Sequence, residues 1–219
     1  EGGFGIIPNP DLKPEENRGL EAGVEQGFGS GRYSLGATYF HNLFTDMIEF
    51  SFDPAAFLGQ YVNVNRALAH GAEIELHGRP AAFHERLRID GAYVYTSTQI
   101  LQAPLATDPL LSAGAPLLRR PRQAANALLS YSGLRWGAEL GGSFVGRRAD
   151  SDFLGLTPPI THAPGYALVT TGGWLGLTHR VTAYANVENL LNRQYEEVVG
   201  YPGLPVNVRA GLRFRIGGE

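Results

Sequence analysis

A chain of 219 residues with 18 Lys and Arg against 21 Asp and Glu, a formal net charge of −3, has no basic surplus, so nucleic-acid binding is not an expected function. It has no cysteine, which rules out disulfides, thiolate metal sites and a Cys nucleophile. Its 29 Gly, 10 Tyr and 11 Phe suit antiparallel strands and turns, and no apolar run reaches the ~18 residues of a membrane-crossing helix, which leaves a membrane β-barrel open.

The chain opens at Glu1 without a charged n-region and apolar h-region, so it is expected to be a mature protein or a fragment. Apolar residues then recur with period two. Leu20, Ala22 and Val24 alternate with Glu21, Gly23 and Glu25; Tyr33, Leu35, Ala37 and Tyr39 alternate with Ser34, Gly36 and Thr38. Ala72, Ile74 and Leu76 stand against Glu73, Glu75 and His77, and Leu87, Ile89, Tyr93 and Tyr95 against Arg88, Asp90 and Thr96. Ala125, Ala127 and Leu129 follow, then Trp136, Ala138, Leu140 and Phe144. The stretch from Tyr166 to Leu175 reads as a strand of ambiguous facing. Val181, Ala183, Ala185 and Val187 come next. Last is the cleanest case, Val206 to Ile216, with Asn207, Arg209, Arg213 and Arg215 on its polar side. The pattern predicts about nine strands and no amphipathic helix.

A β-sandwich would show the same alternation, so the connections carry the distinction. Short turns at Gly29 to Gly31, Ala81 to Glu85, Ser132 to Gly133 and Gly176 to Thr178 alternate with long loops near 51–59, 101–118, 150–164 and 191–205. Tight periplasmic turns and longer extracellular loops are the habit of outer-membrane barrels, whereas Greek-key sandwiches have no reason for them. The last strand is then expected to end on the periplasmic side. An odd strand count places the first residues in an extracellular loop, and the closure that lipid demands puts further strands upstream.

Four segments carry a family resemblance. They are Asn9-Pro10-Asp11-Leu12-Lys13-Pro14-Glu15, then Tyr61-Val62-Asn63-Val64-Asn65 with Ala69-His70-Gly71-Ala72-Glu73-Ile74-Glu75. Leu117-Leu118-Arg119-Arg120-Pro121-Arg122 follows, and Val187-Glu188-Asn189-Leu190-Leu191-Asn192-Arg193-Gln194-Tyr195 with Gly200-Tyr201-Pro202 closes the series. In this order they resemble TonB-dependent outer-membrane receptors, the cobalamin and siderophore receptor family. Leu191 stands where the family usually has Phe. Family chains commonly end on an aromatic residue, and here Phe214 is the last one.

The resemblance implies an all-β fold: an antiparallel transmembrane β-barrel segment, residues 1–219 being the C-terminal portion of the barrel, with the N-terminal plug and TonB box lying outside it. Barrels of this transporter class have about 22 strands and a plugged lumen. The implied function of the parent protein is TonB-energised uptake of a scarce metal chelate, cobalamin or a ferric siderophore. The Arg119-Arg120-Pro121 passage and the Gly200-Tyr201-Pro202 ending favour the vitamin-receptor branch. The implied partners are its own plug, TonB, outer-membrane lipid and the chelate.

No enzyme, cofactor or metal site is expected. The six histidines, His41, His70, His77, His84, His162 and His179, have no ligand spacing. Ser151, Asp152 and His162 share a loop without a nucleophile elbow, so a rim hydrolase is not expected. Glu21, Glu25, Glu73, Glu75, His77, Arg209, Arg213 and Arg215 are assigned to the lumen wall. The arginines are expected to pair there with Glu21, Glu25, Glu73, Glu75 or Glu139, or with a plug. Tyr33, Tyr93, Tyr95, Trp136, Tyr166 and Trp174 are read as interfacial anchors. Phe57, Tyr61, Tyr195 and Tyr201 are the expected ligand contacts, because loops supply binding surface and aromatics supply area at low entropy cost. A small passive porin and a soluble β-sandwich binding module remain the alternative readings.

Overall fold

The computed structural model describes residues 5–53, 56, 58–103, 109–151 and 160–216. Its strands are β1 (Gly5–Ile7), β2 (Glu16–Phe28), β3 (Tyr33–Asp53), β4 (Leu58–Gly78), β5 (Leu87–Gln102), β6 (Gln123–Ser132), β7 (Trp136–Val145), β8 (Arg148–Asp150), β9 (Thr161–Ala163), β10 (Tyr166–Gly176), β11 (Val181–Glu188), β12 (Glu196–Val198), β13 (Tyr201–Pro202) and β14 (Asn207–Phe214). Only two short 3-10 turns, Ala81–Phe83 and Pro109–Leu111, interrupt the strands and loops among the described residues. Nine long strands form one antiparallel path in the order β14-β11-β10-β7-β6-β5-β4-β3-β2. These are the nine that the alternation predicts. The path does not close: β2 and β14 are its two edges among the described residues.

Side chains on paired residues share a face, so the ladder extends each strand's alternation across the sheet. One rung runs Val24, Ala37, Ile74, Tyr93, Ala125, Phe144, Ala167. The next runs Glu25, Gly36, Glu75, Ala92, Asn126, Ser143, Leu168. The first face is apolar and open: Leu20 and Val24 on the β2 edge are 65% and 69% exposed, and Val208 on the β14 edge is 63% exposed. Such a face has no cover within the chain, and a lipid-facing wall needs none.

At the short-turn end of this face Phe28 stacks on Tyr33 with ring centroids 5.4 Å apart, and Tyr131 lies 4.6 Å from Trp136. Toward the other end stand Tyr39, Tyr93, Tyr95 and Phe144. Two rows of aromatics bounding an apolar band are what a membrane interface selects. Tyr166 and Trp174 do not belong to either row. The β7–β10 ladder pairs Tyr166 with Val145 and Trp174 with Gly137, on the polar face. Leu168 and Val169, like Trp174 and Leu175, put bulky residues on both parities of β10, which is why its facing is ambiguous in the sequence.

Leu212, on the apolar face of β14 opposite Ala183, should cost about 2–4 kcal/mol on replacement by Arg if it sits near the bilayer midplane. Arg213→Gln, on the other face opposite Thr182, should cost far less. Folding of the full-length protein in detergent or lipid, followed by heat-modifiable gel mobility, measures the difference. Equal effects would remove the facing.

The loop expected near 51–59 is instead mostly strand. β3 and β4 are each 21 residues long, against the ~9–11 that cross a bilayer. Their outer halves form a ribbon, with β1 added in parallel beside Leu58, Gly59 and Gln60. The ribbon is supported by a small core in which Met47, Val62, Val64, Ala67 and Ile100 are buried under Leu110, Leu111, Ala115 and Leu117. The intervening loop is drawn back along β5: Ile100 N donates to Ala115 O and Gly114 N to Ile100 O, each at 2.8 Å. Burial of these apolar groups stabilises a strand pair that an exposed hairpin of that length would not hold.

Candidate functional site

All long connections leave one end of the wall, and the segments that resemble the family are what tie them down. Asn63 is the first tie. Its amide accepts from Lys13 N at 2.8 Å and donates to Lys13 O at 3.0 Å and to Asp46 O at 2.6 Å. Asn9 donates to Tyr61 O at 2.9 Å, and the Glu15 carboxylate accepts from Ile48 N at 3.2 Å. The segment from Asn9 to Glu15 is thus fastened to β3 and β4 by side-chain amides and a carboxylate, which satisfy backbone groups that no strand neighbour reaches.

The second tie joins three loops. Asp150, fully buried, accepts from Arg119 Nε at 2.9 Å, from Ser151 N at 2.8 Å and from Val199 N at 2.8 Å. Burial alone would push its carboxyl up, but the Val199 and Ser151 backbone donors and the Arg119 guanidinium outweigh that and hold it below the usual aspartate range. Arg119 N also donates to Ala149 O at 2.8 Å. Beside this pair lies Arg148, 5% exposed, whose guanidinium donates to the Glu196 and Glu197 carbonyls and stands 5.5 Å over the Tyr166 ring.

The third tie is Asn189, 4% exposed and in the left-handed region (φ 49°), which an asparagine accepts more readily than most residues. It donates to Arg193 O at 2.9 Å and Leu204 O at 3.0 Å, and accepts from Arg193 N at 2.8 Å. Asn192 accepts from Val206 N at 3.1 Å. In the sequence, Asn189 and Arg119 stand out only through the family resemblance, and Arg148 and Asp150 carry no motif. Their signal was faint, a charged tripeptide flanking a loop.

The expected ligand contacts fare unequally. Tyr61 is 49% exposed and meets Phe50 edge-on with centroids 5.4 Å apart. Tyr201 is 72% exposed on β13. Tyr195 is committed to packing, 4.6 Å from the Tyr166 ring and against Gly203, where any side chain would strike its ring. Phe57 lies outside the described residues. Among the described residues no contact joins Tyr61 to Tyr195 or Tyr201, so these three are not brought into one pocket.

Glu21, Glu25, Glu73, Glu75, His77, Arg209 and Arg213 share the polar face. Arg215 lies just past β14, its N donating to Arg180 O at 2.9 Å. The pairing differs from expectation. Arg209 bonds the Glu188 carboxylate on neighbouring β11, and Arg213 lies 5.9 Å over the Tyr184 ring. Glu21, Glu25, Glu73 and Glu75 make no ion pair among the described residues, because β2 to β4 and β14 lie at opposite ends of the path. His77 bonds Asp90 at 2.8 Å, and Arg88 bonds the same carboxylate at 2.6 Å. His70 falls on the apolar face, 6.2 Å from His41 between ring centroids.

No group of three or more His, Asp or Glu side chains is placed to hold a metal among the described residues. Ser151 is buried and His162 exposed with no bond between them, and Asp152 lies outside the described residues.

An open wall of antiparallel strands, apolar on one face and polar on the other, with short turns at one end and tied loops at the other, defines an outer-membrane β-barrel. The model of the TonB dependent receptor-like, beta-barrel family matches residues 1–190, and the chain belongs to that family. The family's members are receptors and transporters of the Gram-negative outer membrane, not enzymes, and this chain is an outer-membrane strand assembly of that kind. It is 30% identical over 210 residues to the metal-pseudopaline receptor CntO of Pseudomonas aeruginosa, covering 91% of this chain and 27% of the relative. It is also 30% identical over 214 residues to the iron-regulated outer membrane virulence protein of Vibrio cholerae, covering 88% and 30%. Among solved structures it resembles the ferric-catecholate import receptor Fiu from E. coli K12, with TM-score 0.71, 20% identity, and 94% of this chain on 28% of that one. The chain therefore spans under a third of the length of these relatives.

Proposed function

We propose that these nine strands form the C-terminal part of the wall of a larger closed barrel whose whole protein imports a chelated metal across the outer membrane, energised through TonB. The observation that carries this reading is the tied loop cluster at one end of a two-faced wall, which gives a fixed outer surface over a polar interior. The polar face lines the lumen, and Glu21, Glu25, Glu73 and Glu75, which make no ion pair among the described residues, await groups from a plug domain or from further strands. The apolar face meets lipid.

For the cargo, the relatives that match across nine-tenths of the chain are a metal-pseudopaline receptor and an iron-regulated protein, while a vitamin B12 transporter matches over 42% of it. That span favours a metal chelate of metallophore type over cobalamin. Tyr61, in the outer part of β4, and Tyr201, on β13, are the exposed aromatics offered to it, with Phe57 four positions before Tyr61 in sequence.

The test is uptake by the full-length receptor in a strain lacking it, with a radiolabelled metal supplied as a metallophore complex, a catecholate complex or cobalamin. Tyr61→Ala with Tyr201→Ala is expected to raise the half-saturating concentration about tenfold for the true cargo, on the scale of losing two aromatic contacts. An unchanged value for every cargo would remove these residues from the site. Tags near Thr107 or Asp152 should be reached by antibody on intact cells and a tag near Ser30 should not; labelling at Ser30 would invert the orientation.

A further inference from the structure

The β3–β4 ladder sets His41 directly opposite His70, on the apolar face. Their rung continues to Leu20 on β2 and to Ser97 on β5. The next rung toward the short turns holds Tyr39, Ala72 and Tyr95, part of the outer aromatic row, and the next one outward holds Leu43 and Leu68. The two histidines therefore stand one layer beyond the aromatic edge, where headgroups and water meet the wall.

Both rings are half-buried, yet neither has the partner that such a place calls for. His70 Nδ1 is buried without a hydrogen-bond partner. His41 Nδ1 has only the Tyr39 hydroxyl, at 3.4 Å. No carboxylate pairs with either, since the one histidine ion pair among the described residues is that of His77 with Asp90. The ring centroids lie 6.2 Å apart with the planes inclined by 33°. A buried nitrogen without a partner costs about 1–3 kcal/mol. Protonation does not relieve that cost here, because two cations directly opposite on paired strands repel.

A transition-metal ion relieves it. Such an ion takes the lone pair of a neutral imidazole at about 2.0–2.1 Å, so one ion between two facing rings needs only side-chain rotation and leaves the ladder intact. We propose that His41 and His70 form a two-imidazole site for a divalent transition-metal ion on the outer rim of the wall. Imidazole ligands without carboxylates favour copper, nickel or zinc over magnesium and calcium, and copper(II) stands highest in that series. Two protein ligands leave the remaining positions to water, and the Ser97 hydroxyl is next in the rung. The site lies on the face away from the polar wall, so it is separate from the path proposed for the cargo and rests on the β3–β4 register alone.

The experiment uses the full-length receptor, purified in detergent without a histidine tag and titrated with copper(II) alone. At one equivalent of copper, electron paramagnetic resonance should show coupling to two imidazole nitrogens. His41→Gln or His70→Gln should weaken binding on the order of 100-fold, the loss expected when one of two fixed ligands no longer acts with the other. His179→Gln, in a short turn at the opposite end of the wall, should leave binding as it is. Heat-modifiable mobility identifies the folded variants. Unchanged copper binding in a folded His41→Gln or His70→Gln protein overturns the proposal. If neither variant folds, the wild-type spectrum decides alone, and coupling to fewer than two nitrogens overturns it. TonB-dependent uptake of the chelate is measured separately and bears only on the transport reading.

Discussion

Replacing Asp150 by alanine is expected to release at once the three loops it joins. The carboxylate takes donors from Arg119, Ser151 and Val199, one from the loop before β6, one from its own loop and one from the loop between β11 and β14. Its removal takes the acceptor from two backbone N–H groups and one bond from Arg119, whose side chain is 38% exposed, and losing buried acceptors of this kind costs about 1–3 kcal/mol each. Protease added to intact cells should then cut the loops much faster than in the wild type, while the wall below stays assembled, since no wall strand depends on Asp150. Asp150→Asn keeps an acceptor oxygen and should give an intermediate rate. Cleavage of Asp150→Ala at the wild-type rate would show that the loops are held by other means. The carboxyl is held below the usual aspartate value, so its contribution is complete above that value, about 3.9, and is lost as pH falls through the lower folded value. Acid should loosen the loops only below roughly pH 4, and no change is expected between about pH 5 and 8.

Gly71→Val is expected to stop the barrel from assembling. A Cβ at Gly71 would strike the carbonyl oxygen of Tyr95 and come 2.8 Å from the Phe40 ring. The ring can turn, but the Tyr95 carbonyl is backbone in the β4–β5 ladder, where Gly71 pairs with Thr96. Either the ladder parts at its centre or β4 slips, and a slip by one residue moves every side chain of β4 to the wrong face. Glu73 and Glu75 would then turn toward lipid. Folded protein recovered in the outer membrane should fall by tenfold or more, with Gly71→Ala showing a lesser defect of the same kind. Normal recovery of Gly71→Val would mean that the strands approach less closely than described.

The wall was legible because its rule is local. Val206 to Ile216 alternates without a break, and β14 carries that pattern into one apolar and one polar face. β10 was legible as a strand but not in its facing, since only the neighbours Glu139 and Asn186 fix which side Gly172 and Trp174 take. The outer ribbon was not legible as strand. Met47, Val62 and Val64 hold it there by meeting Leu110, Leu111 and Leu117, some fifty residues on, and nothing near 51–59 announces that contact. The same distance hides the loop ties: Asp150 finds Val199 49 positions away and Asn63 finds Lys13 50 positions away. The family motifs did point to several of these residues, which proved to be fasteners. The exposure of the candidate ligand contacts was the least legible, since Tyr195 looks like Tyr61 in sequence and its packing on Tyr166 is set by the fold.

We propose that these residues are a length of wall in an energised importer and not a pore by themselves. It is tested most directly by expressing residues 1–219 and the full-length gene side by side in a receptor-deleted strain, and measuring uptake of a radiolabelled metal chelate with and without TonB. TonB-dependent uptake is expected from the full-length protein and none from the 219 residues, since the edges β2 and β14, open among the described residues, would leave backbone groups unsatisfied in lipid at several kcal/mol each. TonB-dependent uptake by the 219 residues alone, or TonB-independent leakage through them, would contradict it.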